Sequence, residues 1–496
     1  MPEGTTVETT DQVLQALAHE MRTAPEVTEV LSFAGVSSPI DFNGMVRHYY
    51  LRQGPNMGDI RINLLPKEER QQQSHEILLR HRTKLQEIAA SYGANIKLVE
   101  SPPGPPVIAT LTAEIRGTAG HEYDDLIAGA KHVGQLLNSE AGVVDVDDTV
   151  EADQPKLEFV IDKEKASLHG ISTQQLAATV RLALLGHSPG ENNMLTAGQG
   201  VLHVERELNP LRIVLQAAEP DRSSPVDLER LTVKSATGDV IQLGEFGHFQ
   251  EVNEDKTIYH KNMERIVYVF GEMAGRPPAE AVLSLQSRLQ DSPVADGIDV
   301  RWSGEGEWKI TLDVFRDLGI AFGAACLGIY ILLLWQTDSY GMPLLLMVAI
   351  PLTVIGILPG FWLLNVLWNE PVGGYPNPVF FTATGMIGMI ALSGIATRNA
   401  ILLIEFVHEQ LKEGQELRDA LIQSGAVRFR PIFLTAGTAM LGAWPITLDP
   451  VFSGLAWSLI FGLLVSTTFT LVVVPVCYWL IYANRPGHGL PIRTEE

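Results

Sequence analysis

Two pairs of polar residues with helical spacing stand inside strongly apolar stretches in the last quarter of this sequence. Arg398 and Glu405 are seven positions apart, and so are Arg428 and Thr435. Because seven residues make about two turns of an α-helix, each pair lies on one helical face. An arginine near the middle of a membrane helix costs on the order of 3 kcal/mol. We therefore expect another group to compensate the charge of Arg398 within the apolar surroundings.

Two of these residues also have a purely structural interpretation. Glu405 is close to the end of its apolar stretch, so its side chain can extend to the aqueous boundary. Thr435 forms a stripe of small residues with Ala439 and Ala443, and such a stripe allows two helices to approach closely. From the residues alone, both interpretations stay open.

Five apolar stretches are long enough, or nearly long enough, to carry these residues across a membrane, which takes about 20 residues. The fourth is the shortest. They cover residues 317–335, 343–367, 379–407, 432–448 and 454–482.

The loops between these stretches differ in basic residues and predict an orientation. The connection of residues 408–430 contains Lys412 and Arg418, whereas the loop of residues 369–378 contains Glu370 and no Lys or Arg. The positive-inside rule places the first of these loops and the C-terminus in the cytoplasm. The hydrophilic residues before Asp317 are then on the opposite side. Their translocation requires an upstream span, so we expect the chain to be a fragment or one half of a split protein.

Composition excludes several classes of function. The formal net charge is −22, and no basic stripe of the kind that binds nucleic acid is visible. The only two cysteines, Cys326 and Cys477, lie in apolar stretches, which excludes a disulfide framework or a CxxC metal site. The sequence contains no nucleophile motif, phosphate loop or HExxH. We therefore predict a protein that is not an enzyme, with no cofactor and no metal site.

The polar part repeatedly shows an amphipathic helix followed by a short β-branched strand, a pattern typical of α+β layers. Thr9 or Thr10 is predicted to cap the first helix. Residues 156–250 have a different sequence pattern, which predicts a separate small α+β domain with a protruding hairpin between Pro189 and Pro210. The helix–strand pairs are 11–23 with 27–33, 74–92 with 94–99, 124–138 with 143–150, and 278–289 with 298–302.

Four segments of this sequence resemble the resistance-nodulation-division efflux transporters. PKLEFVIDKEKASLHGISTQQLAATVRLALLG is similar to the opening of their docking domain, and MVAIPLTVIGILPG to their ninth span. GMIGMIALSGIATRNAILLIEF and RFRPIFLTAGTAMLGAWPI are similar to their tenth and eleventh spans. The resemblance is collinear from near Pro2 to about Tyr482, so it covers almost the whole chain.

The resemblance implies a fold and a division into domains. The fold class is α+β periplasmic porter and docking subdomains, built of ferredoxin-like βαβ units, followed by an all-α membrane bundle of five transmembrane helices. Residues 1–104 are expected to be a porter subdomain that lacks its first strand. The other expected domains are a second porter subdomain (105–150 and 251–308), the docking domain (151–250), the transmembrane domain (309–485) and a cytoplasmic tail (486–496).

The resemblance also implies a function, a location and partners. We expect the C-terminal half of a proton-driven pump that exports amphiphilic small molecules from the periplasm or inner membrane. It would be a multi-pass protein of the bacterial inner membrane with a large periplasmic region. It would pair with the N-terminal half of the same transporter and assemble as a homotrimer. Its other partners would be a periplasmic adaptor, an outer-membrane channel, a small-molecule substrate and protons, with no nucleic acid. The alternatives are a copper or silver exporter, a membrane-anchored docking module without transport, and a truncated gene product.

Site residues follow from the same resemblance. Arg398 stands where the family usually has its relay lysine, and Arg428 and Thr435 match an arginine and a threonine on the next span. Since a guanidinium keeps its charge, we expect Arg398 to act as a fixed counter-charge to carboxylates outside this chain, with Glu405 near the same relay.

The family's porter cleft suggests which residues contact substrate. Leu31, Phe33 and Phe42 lie where that cleft carries apolar side chains, which favours amphiphilic substrates, with core packing as the alternative. Met45 and Met57 flank this segment, and methionine suits Cu(I). No third soluble methionine has a matching position, so core or surface packing is the preferred interpretation of both.

Overall fold

The computed structural model describes residues 1–101, 104–118, 120–187, 202–204, 211–449 and 451–483. The chain divides into two compact units. One contains Met1–Val150 and Ile258–Glu496, and the other contains Glu151–Thr257.

The first region of the larger unit packs two helices against a two-stranded antiparallel sheet. Its elements are α1 (Val7–Met21), β1 (Val27–Ala34), α2 (Phe42–Val46), β2 (Gly58–Leu64) and α3 (Ser74–Ser91). Its core is formed by Val13, Leu17, Met21 and Leu85.

Two local predictions for this region are wrong. The hydroxyl of Thr6 caps α1 by accepting from the N–H of Thr9, so the helix begins earlier than a cap at Thr9 or Thr10 would allow. Residues 94–99 form no strand. The N–H of Leu98 instead donates to the carboxylate of Asp145 at 3.1 Å, and its side chain packs against the first core, so the apolar pattern is satisfied without strand pairing.

The next segment contributes half of a larger sheet. It consists of β3 (Leu111–Gly117), α4 (Tyr123–Asn138) and β4 (Val143–Asp148). Glu122 and Asp125 form a capping box at the start of α4. The prediction of a helix followed by a strand is confirmed here.

The smaller unit has its own core and its own sheet pairs. Its two longest strands, β5 (Pro155–Ile161) and β10 (Gly247–Asn253), pair antiparallel. Phe246, Leu243 and Leu176 are fully buried in its core. Most of the predicted hairpin between Pro189 and Pro210 lies outside the described residues. The remaining elements are α5 (Lys163–Leu168), α6 (Thr173–Leu185), β6 (Leu202–Val204), β7 (Leu211–Arg212), α7 (Pro225–Glu229), β8 (Thr232–Lys234) and β9 (Val240–Gln242).

The chain then returns to the larger unit and completes a five-stranded antiparallel sheet. The added elements are β11 (Tyr259–Lys261), β12 (Glu264–Met273), α8 (Pro278–Asp291) and β13 (Ile298–Arg301). The order is β13–β3–β12, with β4 and β11 both paired to β12. Both α4 and α8 pack on the face that carries Leu111, Ala113 and Ile115, and this makes one core with the sheet.

Ion pairs join the first region to this sheet, and in each the cation belongs to the first region. Asp145 is the most enclosed partner, with its side chain 1% exposed, and it holds a left-handed φ of 53°. Because few non-glycine residues adopt such a φ, the backbone of β4 is constrained at this contact. The pairs are Arg82 with Asp145 at 2.7 Å, Arg47 with Glu272 at 2.8 Å and Lys97 with Asp147 at 3.0 Å.

Five helical segments within the described residues are long and apolar enough to cross a membrane, which confirms the predicted number. The fourth, Leu417–Leu448, is longer than its predicted apolar stretch, because the helix starts well inside the predicted connection. The helices are α9 (Gly306–Thr337), α10 (Gly341–Met347), α11 (Ala349–Trp368), α12 (Ala383–Lys412), α13 (Leu417–Ala443) and α14 (Ser453–Tyr482).

Glycines bring α11, α12 and α14 into close contact at the centre of this bundle. A Cβ on Gly360 would lie 2.3 Å from Cγ of Phe461, and one on Gly356 would lie 2.6 Å from the carbonyl oxygen of the same residue. A Cβ on Gly388 would lie 2.9 Å from the carbonyl oxygen of Leu455. Small residues at helix crossings are the usual means of tight packing in membranes.

The loop between α11 and α12 docks on the first region. The amide of Asn377 donates to Glu76 at 3.2 Å, near the start of α3. Gly373 has a φ of 60°, and a Cβ there would lie 2.2 Å from the carbonyl oxygen of Leu79. The backbone of this loop therefore lies directly against the backbone of α3.

Candidate functional site

Arg398 lies on a continuous exposed stripe of α12. Its members recur every three or four residues, so they share one face of the helix. The opposite face is buried against the other helices of this chain. The exposed residues are Ile387, Ala391, Gly394, Arg398, Leu402, Glu405 and Glu409.

The charged groups on this stripe are unequally partnered. Glu405 accepts a hydrogen bond from the amide of Gln336, near the end of α9. Arg398 has no hydrogen bond or ion pair with any of the described residues. The helical period thus brings Arg398 and Glu405 to one face, but only the carboxylate finds a polar partner within the described part of this chain.

Arg428 on α13 lies against α12. Its guanidinium carbon is 5.1 Å from the ring centroid of Phe406, which is within reach of a cation–π interaction. Its Nε is buried without a hydrogen-bond partner among the described residues. Phe406 directly follows Glu405, so Arg428 contacts the residue next to the charged stripe.

Thr435 is exposed, and its hydroxyl donates to the carbonyl of Ile432 in its own helix at 2.9 Å. The buried residues of this part of α13 are instead Ile432, Ala436 and Ala443. Of the small-residue stripe expected from the sequence, Ala443 is buried and Ala439 is partly buried, whereas Thr435 faces away from the packed side. The structure therefore brings Arg428, but not Thr435, into described contact with α12.

Two polar partners near this site were missed by the sequence reasoning. Gln336 is a single amide at the end of an apolar stretch, and that position was the only available signal. His408 and Tyr478 lie 3.0 Å apart through Nε2 and the hydroxyl, and the ring of Tyr478 stacks on Tyr482 at 4.6 Å. No sequence spacing relates residues on two different helices, so this pair had no local signal.

The three predicted substrate contacts lie in the first region. Leu31 and Phe33 alternate with residues of β1 that face α1, and Leu31 is 40% exposed. Phe42, at the start of α2, is 65% exposed. The structure thus places Leu31 and Phe42 at the surface rather than in a core. Other apolar side chains of the same segment are exposed as well, and they are Val36, Ile40, Met45, Leu51 and Met57.

No group of three or more His, Cys, Asp and Glu side chains is placed to hold a metal ion in the part of the chain that the structure describes. Methionine ligands are a separate case. Met45 and Met57 are both exposed, in the segment that carries Phe42.

Comparison with known proteins gives a family. The model described as the AcrB/AcrD/AcrF family matches residues 1–482. Swarming motility protein SwrC of Bacillus subtilis is 26% identical over 395 residues, which make up 78% of this chain and 34% of SwrC. Multidrug resistance protein MdtC of Photorhabdus laumondii is 24% identical over 437 residues, which make up 85% of this chain and 39% of MdtC.

A crystal structure described as a heavy metal efflux pump shares the fold, with a TM-score of 0.75 and 20% identity. The likeness covers 98% of this chain and 46% of that one. The chain therefore spans less than half the length of the relatives that it matches. Since the family model matches nearly all of its residues, the chain belongs to the AcrB/AcrD/AcrF family of resistance-nodulation-division permeases.

Proposed function

We propose that this chain is the C-terminal half of a proton-driven pump that exports amphiphilic compounds. The observation that carries the proposal is the stripe of α12, which places Arg398 in a candidate membrane span without a partner in the described part of the chain. A bare guanidinium in hydrocarbon is costly, so the exposed stripe needs a complementary surface. Membrane helices that carry carboxylates would satisfy both the exposed face and the charge.

The relatives are more than twice as long as the part of them that this chain covers, and in this proposal the uncovered part supplies such helices. In the proposed mechanism a carboxylate on those helices takes up and releases the proton. Arg398 keeps its charge throughout, because a guanidinium does not deprotonate in a protein. It attracts the ionised carboxylate and loses that attraction when the carboxylate is protonated, which moves α12 relative to its partner.

The other site residues have supporting roles in this proposal. Glu405, held by Gln336, adds a negative charge two turns away on the same stripe. Arg428 adds a positive charge against Phe406. Thr435 would serve the relay through its exposed hydroxyl, which is the role that the resemblance to the family implies for this threonine.

We propose the finer domain assignment as well. The strand order β13–β3–β12–β4, with α4 and α8 on one face, supports a ferredoxin-like porter unit made of residues 105–150 and 251–308. Residues 1–104 would be the other porter unit and 151–250 the docking domain. Lys412 at the end of α12 and Arg418 at the start of α13 support a cytoplasmic location for that side and a periplasmic location for the porter units. Membership of the family supports assembly as a trimer with an adaptor and an outer-membrane channel.

Amphiphilic substrates are supported by the exposed apolar segment around Phe42. Apolar groups left at a surface commonly mark ligand or partner sites. Leu31, Phe33 and Phe42 would contact the apolar part of a substrate. A heavy-metal substrate is the second candidate, supported by the exposed thioethers of Met45 and Met57.

The relay is tested by Arg398→Ala in a complete pump reconstituted in proteoliposomes. A pH gradient drives the export of a fluorescent amphiphile, and binding of the same compound is measured separately. We expect loss of gradient-driven export with binding retained. Arg430→Ala is the matched control, since Arg430 is an exposed cation on α13. Export by the Arg398 variant at the wild-type rate would overturn the relay assignment.

The substrate class is tested on the same vesicles. Phe42→Ser is expected to weaken export of the amphiphile and to leave Cu(I) or Ag(I) transport unaffected. Met45→Leu with Met57→Leu should leave amphiphile export unaffected. If the wild-type pump transports the metal ion but not the amphiphile, and the methionine variant abolishes that transport, the heavy-metal candidate replaces the amphiphile.

A further inference from the structure

Hydroxyl side chains gather on the buried face of α12 and on the face of α14 that packs against it. Ser466, Thr467 and Thr470 of α14 are 2%, 4% and 1% exposed, and Ser393 and Thr397 of α12 are 1% and 2% exposed. We call these five residues the hydroxyl cluster. It lies on the side of α12 opposite the stripe of Arg398, so the relay proposed above does not use it.

The register of the two helices brings the two halves of the cluster to the same level. His408 and Tyr478, which are hydrogen-bonded, are 70 positions apart. A Cβ on Gly462 would lie 2.7 Å from Cδ1 of Leu392, and these two residues are also 70 positions apart in the sequence. About one turn away, Gly388 meets Ser458 with this separation again. The two helices therefore run in the same direction with a constant offset of 70 positions.

This offset places Thr397 level with Thr467, and Ala400 level with Thr470. Alanine opposite a threonine leaves more room between the helices than a longer side chain would. Ala396 is likewise level with Ser466. Small and hydroxylic residues thus lie at the same level over a little more than one turn in the middle of the bundle.

The hydroxyls differ in their hydrogen bonds. Thr397 donates to the carbonyl of Ser393 at 2.7 Å, and the hydroxyl of Ser393 donates to the carbonyl of Ile390 at 2.6 Å. In contrast, the hydroxyl oxygens of Thr467 and Thr470 are buried and have no hydrogen-bond partner among the described residues. A buried hydroxyl without a partner is destabilising, and in a membrane the surroundings offer no replacement.

We propose that the hydroxyl cluster binds ordered water, held by Thr467 and Thr470 of α14 and by the hydroxyl oxygens of α12. Buried water commonly makes about three hydrogen bonds to polar groups that otherwise lack partners. A water here can donate to the free lone pairs of Ser393 and Thr397 while it accepts from Thr467 or Thr470. Because the five side chains carry no formal charge, they suit a neutral ligand better than a metal cation, whose desolvation they would not offset.

The consequence for the membrane bundle is a polar, hydrated layer behind the charged face of α12. Above it, Leu392 and Leu463 are fully buried, and below it Leu403 and Val474 are fully buried. These apolar residues close the layer at both ends. The site therefore holds local water, and the described residues do not form a continuous path through the helix pair.

The test uses the full chain in lipid nanodiscs and Thr467→Val, Thr470→Val and the double variant. Valine has nearly the shape of threonine, so the change removes a hydroxyl without opening a cavity. If water is bound, each valine removes one of its partners and lowers the thermal midpoint by about 2–4 °C. In a dry cluster valine removes an unsatisfied group and raises the midpoint. Thr468→Val is the control, because Thr468 is exposed and donates within its own helix to Leu464 at 2.9 Å.

A second measurement detects the water without relying on stability. Hydroxyl radicals made by X-ray radiolysis label side chains next to bound water, including side chains that bulk solvent does not reach. We expect Leu463 and Val474 to be labelled in the wild-type chain, several-fold less in the double variant and unchanged in the control. No labelling of either residue, together with higher midpoints for the valine variants, would overturn the proposal. The proposal is also overturned if sodium chloride, but not choline chloride, raises the thermal midpoint, and does so only when Thr467 and Thr470 are present. That result would identify a bound cation in place of water.

Discussion

Arg82→Ala is expected to lower the free energy of unfolding around the contact between α3 and β4 by about 3–5 kcal/mol. The side chains of Arg82 and Asp145 are 3% and 1% exposed, and their nitrogen and oxygen atoms are 2.7 Å apart. Without the guanidinium, the carboxylate keeps two neutral donors, the amide of Gln86 and the N–H of Leu98, both at 3.1 Å. An enclosed carboxylate left without a counter-charge is the source of the loss.

Two further variants separate charge from shape. Lys97→Ala removes a pair whose side chains are 20% and 46% exposed, so its cost should stay below about 1 kcal/mol. Asp145→Asn in the Arg82→Ala chain removes the stranded charge and should restore part of the lost stability. Asparagine tolerates the left-handed backbone of this position as well as aspartate does, so the φ of 53° adds no new strain.

The measurement is native-state proteolysis of the full chain in detergent at low protease concentration, with cleavage followed within residues 94–101. Proteolysis of an open form reports the free energy of opening when opening and closing are fast. The reasoning is refuted if Arg82→Ala costs no more than Lys97→Ala. It is also refuted if Asp145→Asn deepens the defect of the Arg82 variant, because the cost then came from lost hydrogen bonds and not from charge.

Two other outcomes are expected. The hydrogen bonds from Arg80 hold the pKa of Glu26 below its usual 4.5. The stabilisation that the ionised Glu26 provides is therefore complete above pH 4.5 and is lost as the pH falls through the lowered pKa. The difference in thermal midpoint between wild type and Glu26→Gln should be constant from pH 7 to about 5 and shrink below pH 4.5. Gly360→Leu should disrupt the contact of α11 with α14 and lower the yield of folded chain in detergent size-exclusion chromatography, because a side chain there overlaps an aromatic ring. Gly394→Leu is the control, since nothing lies within 4 Å of its Cβ position, and an equal loss in both variants would contradict the packing argument.

Local signals made the elements predictable. The predicted helix of residues 74–92 matches α3 (Ser74–Ser91) almost to the residue, since its start is fixed by a capping box between Gln73 and Glu76. The number of membrane spans was predictable for a similar reason, because the length and apolarity of each stretch are properties of that stretch alone.

Apart from the cap of α1, which was misplaced by a few residues, the failures involve partners distant in sequence. The strand expected at residues 94–99 has apolar alternation, but the donor of Leu98 goes to Asp145, 47 positions away. The site shows the same division. Helical spacing was enough to put Arg398 and Glu405 on one face, whereas the outward rotation of Thr435 depends on which neighbours bury Ile432 and Ala436. A sequence contains each helix's own period but not the angle at which the helix meets another.

The close approach of the α11–α12 loop to α3 has a consequence for labelling this protein. Loops between spans are the customary places for epitope tags, since loops usually accept insertions. Here any side chain in place of Gly373 would run into the carbonyl of Leu79. A tag in this loop would separate it from α3 and would report a displaced loop. The turn at Gly414, where nothing lies within 4 Å of the Cβ position, is the better place for a topology tag.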